Sequence, residues 1–173
     1  YDDEDGWDGD TMRELADETN NLYGKMLSTG LMSFLVSVMD ENYEEGMAYA
    51  RKNYLLSLET FFGWNDSAAR WGKGVSNVGL GHYQEAREEY DILCWKRRED
   101  PGPATIVLSL EALALANEGA YDRATEFLSL ACDQPDYARG WMTHWSPIAH
   151  LRAELMHHLG DADFERAWQA GRA

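Results

Sequence analysis

Three side chains near the C-terminal end have the types and spacing that could bind a metal ion. His150, Glu154 and His158 follow one another at intervals of four residues, so a helix would carry all three on one stripe. Glu154 and His157 also form an E-x-x-H pair, which di-iron helical bundles use twice. The chain has this pair once and no H-E-x-x-H, whereas a catalytic zinc usually has three protein ligands. A solvated helix face is the alternative, and we predict no metal site and no cofactor.

The rest of the sequence gives little sign of catalysis. Cys94 and Cys132 each fall late in a predicted helix, where a cysteine commonly acts as a small buried hydrophobe. No G-x-x-x-x-G-K-[ST] phosphate loop occurs. We therefore predict no catalytic residues and a protein that is not an enzyme. The competing hypothesis is a metal-dependent helical hydrolase that uses His150, Glu154 and His157.

Aromatic side chains are the best candidates for a binding surface. The chain has seven Trp and nine Tyr, and aromatic residues are enriched at interface cores. We expect the exposed faces of the first helix in each predicted hairpin to line a concave groove. The candidate groove anchors are Trp71, Lys73, Asn77, Trp145, His150 and Glu154. Packing between helices is the alternative role for each Trp.

Net charge limits the partners. With 31 Asp and Glu against 15 Lys and Arg, the formal charge is −16, which repels nucleic-acid phosphates and anionic lipid. No apolar run approaches the roughly 20 residues of a membrane span. Two cysteines suit a reducing compartment. We expect a cytoplasmic protein that does not bind nucleic acid or membrane directly.

The ends of the chain also carry information. Acidic residues crowd positions 1–10, which we predict to be an acidic linker, with one domain over 11–173. The sequence begins without Met and ends at Gly171-Arg172-Ala173, which suggests a piece of a longer protein.

Apolar residues recur with a period near 3.6, which predicts an all-α fold. The helices are expected near residues 11–39 (with a possible break at Thr29-Gly30), 43–61, 66–80, 83–98, 103–118, 120–132, 147–158 and 161–171. Thr11 with Glu14 predicts a capping box for the first helix. Ser146 followed by Pro147 predicts an N-cap with proline at the first helical position.

One motif recurs along these helices. The pattern G-x-Y-x-x-A occurs at residues 81–86 and 119–124, and weaker copies occur at 41–46 and 164–167. The aromatic positions, Tyr43, Tyr83, Tyr121 and Phe164, are separated by 40, 38 and 43 residues. Such a period indicates a helical-repeat array. In the two full copies the glycine would end a helix in the left-handed conformation, and in every copy the small residue would allow two backbones to approach.

The repeat predicts buried positions at the seams between helices. They are Tyr83, Ala86, Tyr121, Ala124, Phe164 and Ala167.

These motifs resemble the tetratricopeptide repeat, in a variant longer than the usual 34 residues. The C-terminal stretch 155–173 resembles the segment that closes the repeat region of large ATP-binding LuxR-type bacterial transcriptional regulators and related multidomain signalling proteins. The resemblance covers roughly residues 30–173. It implies a right-handed superhelical stack of about four antiparallel helix hairpins, a tetratricopeptide-like α-solenoid. The ATPase and DNA-binding modules of that family have no counterpart in this sequence.

The sequence thus predicts a non-catalytic scaffold for protein or ligand recognition in signal transduction or transcription regulation. Its partner would be a protein or peptide, or a small-molecule inducer. A purely structural homodimerisation module is a further alternative.

Overall fold

The computed structural model describes residues 9–60, 66–96, 102–134 and 140–172. Throughout these ranges the regular structure is helical, without a β-strand. The predicted all-α class is therefore confirmed for the described part of the chain.

The helices follow the predicted ones closely. They are α1 (Gly9–Glu18), α2 (Leu22–Met39), α3 (Tyr43–Glu59), α4 (Asp66–Gly79), α5 (Tyr83–Lys96), α6 (Gly102–Asn117), α7 (Tyr121–Cys132), a 3-10 helix (Gly140–Thr143), α8 (Ser146–Leu159) and α9 (Asp161–Gly171). From α3 onward each α-helix begins and ends within two residues of its predicted position. The 3-10 helix is an element that the periodicity did not predict.

The first predicted helix is wrong in two respects. The break lies at residues 19–21, where Asn20 has a φ of 48° and the Asn21 side chain caps α2 by accepting from Gly24 N at 3.1 Å. Gly30 instead lies inside α2. The predicted capping box is also wrong, because α1 begins at Gly9 and Thr11 is already inside it. Residues 9 and 10 of the predicted linker belong to this helix, and residues 1–8 lie outside the described residues.

At the start of α8 the prediction is one residue off. Proline does lie in its first turn, as expected, but the N-cap residue is Trp145 and Ser146 is already helical.

Contacts divide the chain into two compact units, residues 1–76 (unit 1) and 77–173 (unit 2), and the division falls within α4. The sequence analysis expected one domain over 11–173. Each unit is described by itself below.

Small and polar residues hold unit 1 together. The Ser37 and Ser76 hydroxyls lie 2.9 Å apart, joining α2 to α4. A Cβ at Gly46 of α3 would collide with the Ser37 hydroxyl, and one at Gly72 of α4 would collide with that of Ser33. The backbones approach closely because these positions have no larger side chain. Ser37 lies beside Ser76, and Ser33 lies beside Gly72. The residues of each pair are 39 positions apart, so α2 and α4 run parallel.

Asn53 links α3 to α2. Its buried amide nitrogen donates to the carbonyl of Met26 and to the Thr29 hydroxyl. Gly46 lies beside Ser37 and Asn53 beside Met26, so residue numbers rise on α3 as they fall on α2. The two helices therefore form an antiparallel hairpin.

By length and composition α2 could cross a membrane, since its 18 residues have a mean hydropathy of 1.3. The sequence analysis expected no such run. A core helix passes the same test, and 44% of this stretch is buried. The cytoplasmic location therefore stays a prediction.

Side-chain contacts join α7 to α9 in unit 2. The Ser129 hydroxyl of α7 donates to the Trp168 carbonyl of α9 at 2.7 Å, and Arg172 contacts Asp133 at 2.9 Å. Both pairs are 39 residues apart, whereas Asp122 with Arg166 and Glu126 with Gly171 are 44 and 45 apart, so the contacts between α7 and α9 join residues 39 to 45 apart. Helix α6 packs on α7, and α8 packs on α6, α7 and α9.

An arginine joins α5 to α6 in the same unit. Arg87 contacts both oxygens of Glu111 at 2.8 and 2.9 Å, and its Nη1 lies 2.5 Å from Glu118 Oε1. These hydrogen bonds raise the pKa of Arg87 and lower that of Glu118.

The predicted seam positions are mostly buried. Ala86, Ala124, Phe164 and Ala167 are each at most 4% exposed. Tyr83 and Tyr121 are only half-buried, which corrects the prediction for these two. The Tyr121 ring lies flat against the His158 ring, with the centroids 4.1 Å apart, near the end of α8.

Candidate functional site

The three side chains whose spacing could bind a metal ion do not converge. His150, Glu154 and His158 are exposed on α8. His158 stacks on Tyr121, and the Ser146 hydroxyl lies 3.4 Å from His150 Nδ1. Among the described residues, no three His, Cys, Asp or Glu side chains are grouped so that they could hold a metal ion. The hydrolase hypothesis gains no support from this helix.

The candidate groove anchors lie in different environments. Trp71 is half-buried in unit 1, where the Lys73 ammonium lies 4.6 Å from the centroid of the Tyr54 ring. Asn77 is 9% exposed and Trp145 is fully buried in unit 2. A side chain without exposed surface cannot contact a partner in this structure, so Trp145 has the packing role that was the alternative. His150 and Glu154 remain on the surface.

Unit 2 contains an open, mostly apolar cleft of about 250 Å³ between α7, the 3-10 helix and α8. We call it the Arg152 cleft. It is lined by Leu128, Cys132, Met142, Thr143, Ile148, Ala149 and Arg152. Periodicity could place the residues of α7 and α8, but not Met142 and Thr143, because the 3-10 helix was not predicted. No sequence signal pointed to this site.

Buried contacts fix the wall that the 3-10 helix contributes. The Trp145 side chain is fully buried just before α8, and its backbone N–H donates to the Trp141 carbonyl at 3.2 Å. The two indole rings lie 5.9 Å apart. Met142 is 6% exposed, and its sulfur accepts a hydrogen bond from the Ser109 hydroxyl of α6 at 3.6 Å. The cleft is therefore built against the core of unit 2.

Cys132 differs from its predicted role. Its side chain is half-buried and faces the cleft, whereas the sequence analysis expected both cysteines to pack inward. The side chain of Cys94 lies outside the described residues. The described lining residues include no His, Asp or Glu.

Arg152 is the charged residue of the cleft. Its guanidinium carbon lies 4.8 Å from the Trp168 ring centroid and 5.9 Å from that of Phe164, both on α9. The two rings stack on each other at 5.4 Å. Within unit 2, the described side chains of Arg87, Arg123, Arg166 and Arg172 each contact a carboxylate. Arg152 is the remaining described arginine of unit 2, and it contacts aromatic rings but no carboxylate of the described residues.

The strongly perturbed tyrosine of unit 2 lies elsewhere. Burial raises the pKa of Tyr90 well above its ordinary value, and its hydroxyl has no hydrogen-bond partner among the described residues. Tyr90 occupies α5, one turn after Ala86, and does not line the cleft. Its perturbation follows from packing at the seam and does not indicate a catalytic site.

Comparison with known proteins identified no relative: no family model, curated protein or solved structure matches the chain significantly.

Proposed function

We propose that the chain is a non-catalytic recognition scaffold made of helical repeats, and that its binding site is the Arg152 cleft. The single observation that carries this proposal is the cleft itself. An open, mostly apolar cavity with an arginine among its described lining residues, built on a packed wall, has the character of a ligand site.

The finer fold that we propose is the tetratricopeptide-like α-solenoid, a right-handed superhelical stack of about four helix hairpins. Support comes from each unit separately. Contacts between corresponding helices join residues 39 apart in unit 1 and 39 to 45 apart in unit 2. These spacings lie close to the 40, 38 and 43 residues between the aromatic positions. Because each repeat of a repeat protein packs on its neighbours, contacts at such spacings support this fold.

A role in a larger LuxR-type bacterial transcriptional regulator is part of the same proposal. It rests on the resemblance of residues 155–173 and of the repeats. We accordingly propose a cytoplasmic protein whose partner is a protein, a peptide or a small-molecule inducer, without direct contact to nucleic acid or membrane.

A displayed peptide library, selected on the full chain, tests recognition at this cleft. Ala149 lines the cleft and Ala153 does not, yet both are exposed on α8. Tryptophan at 149 fills the opening, whereas tryptophan at 153 adds the same bulk to the neighbouring surface. Selected peptides should bind the wild type and Ala153→Trp equally and lose at least tenfold in affinity for Ala149→Trp. Peptides that bind both variants equally well would place recognition elsewhere and contradict the proposal.

A further inference from the structure

Arg152 is a cation held in place but available to bind an anion. The guanidinium carbon lies over the Trp168 ring, 4.8 Å from its centroid, and this cation–π contact uses no hydrogen-bond acceptor. The N–H groups lie in the plane of the guanidinium and can still donate to a carboxylate in a two-pronged arrangement. No carboxylate among the described residues occupies them, although the chain carries 31 acidic residues. An acidic protein that leaves a fixed arginine unpaired at the rim of a cleft is suited to bind an external anion.

Arg123 shows what the usual arrangement is. Its guanidinium also lies over an aromatic ring, that of Phe127 at 5.4 Å, but it contacts Glu126 as well. Stacking on an aromatic ring therefore does not exclude an ion pair in this unit. Among the described arginines of unit 2, Arg152 is the one without a carboxylate, and it also lines the cleft.

The size of the cleft limits what can accompany the anion. A cavity of about 150 Å³ accommodates benzene, and pockets for drug-sized molecules begin near 300 Å³. At about 250 Å³, the Arg152 cleft has room for one aromatic ring or a short aliphatic chain. Leu128, Met142 and Ile148 form its floor and are 2%, 6% and 5% exposed, so each offers a ligand a small apolar area beside the exposed Ala149 and Thr143.

We propose that the cleft binds a small organic carboxylate, with its apolar part against Leu128, Met142 and Ile148 and its carboxylate on Arg152. This inference rests on the proposed function and specifies the ligand. A peptide that ends in an apolar residue carries the same chemistry, so the experiment includes it as a separate arm.

The probes are 3-phenylpropanoate and its neutral counterpart 3-phenylpropanamide, titrated into the full chain by calorimetry. Because a hydrogen-bonded charge contributes about 1.5–3 kcal/mol, the acid should bind at least tenfold more tightly than the amide. Equal affinity for the two, or no binding of either, overturns the inference. The peptide-library experiment tests the proposed function independently, because a peptide can bind the cleft without using a carboxylate.

Three variants at two arginines localise the effect. Arg152→Gln should abolish the preference for the acid, whereas Arg123→Gln should keep it. Arg152→Lys retains the charge without the two-pronged donor and should keep an intermediate preference for the acid. This variant keeps the test decisive if Arg152→Gln fails to fold. A preference that survives Arg152→Gln overturns the assignment.

The peptide arm distinguishes the source of the carboxylate. A heptapeptide ending in Phe should bind no more tightly than 3-phenylpropanoate, because the cleft has room for one ring. The contrary result is a free-acid peptide that binds more than tenfold more tightly than 3-phenylpropanoate, while its amidated form binds much more weakly. That result would identify the ligand as a peptide C-terminus and not a small molecule.

Discussion

At the residue scale, backbone conformation shows where the repeat is degraded. Gly81 and Gly119 both have a φ of 78°, as the motif predicts for a residue that closes a helix. Glu41 occupies the same place in the first copy and has a φ of 52°. An L-residue with a side chain is strained there, by about 1–2 kcal/mol. The first copy thus keeps the turn but not the residue that suits it.

Glu41→Gly should therefore stabilise the protein. Relief of strain outweighs the extra backbone freedom that glycine gains on unfolding, which costs about 0.5–1 kcal/mol, so we expect a net gain of up to about 1 kcal/mol. Urea unfolding followed by circular dichroism measures it. Gly81→Ala is the matched control and should lose about 1 kcal/mol. A Glu41→Gly protein that is less stable than the wild type would contradict this account.

Gly160 shows why the last copy is shifted in sequence. Its φ of 73° and ψ of 162° lie in a region that essentially only glycine adopts. It follows α8 directly and caps α9, which begins at the next residue. The helix thus starts earlier relative to Phe164, and this explains the two extra residues between Gly160 and the aromatic position.

At the element scale, helices in each unit are held at a fixed spacing by small residues. Gly46 and Gly72 allow close approach in unit 1, and Ala124 is fully buried on α7 in unit 2. Period and small residues were both visible in the sequence, so most of the helices and seams could be predicted. The degree of burial of Tyr83 and Tyr121 could not, because it depends on neighbours such as His158 that are distant in sequence.

Ala124→Arg tests the seam. A large charged side chain at a fully buried position combines overpacking with an unpaired charge, so the free energy of unfolding should fall by about 3 kcal/mol or more. Ala153→Arg, the same change at an exposed position of α8, should alter stability by no more than about 0.5 kcal/mol. Denaturant melts of the two variants provide the comparison. Equal stability of the two proteins would mean that residue 124 is not at a packed interface.

At the scale of the whole molecule, the binding site could be predicted from the sequence less well than the helices could. The anchors predicted from aromatic excess included Trp145, which belongs to the core. The cleft was missed because it depends on a 3-10 helix without a periodic pattern, and because only tertiary contacts bring Leu128, Met142 and Ile148 together. Burial, not residue type, decides which aromatics are available to a partner.

We propose that this protein is a binding scaffold that works through the Arg152 cleft. The most direct measurement is the methyl NMR spectrum of the full chain, titrated with a library of small aromatic and aliphatic fragments. Fragments that bind should shift the methyl signals of Leu128, Met142 and Ile148, while those of Val75 in unit 1 stay in place. Shifts confined to unit 1, or no shifts with any fragment, would contradict the claim.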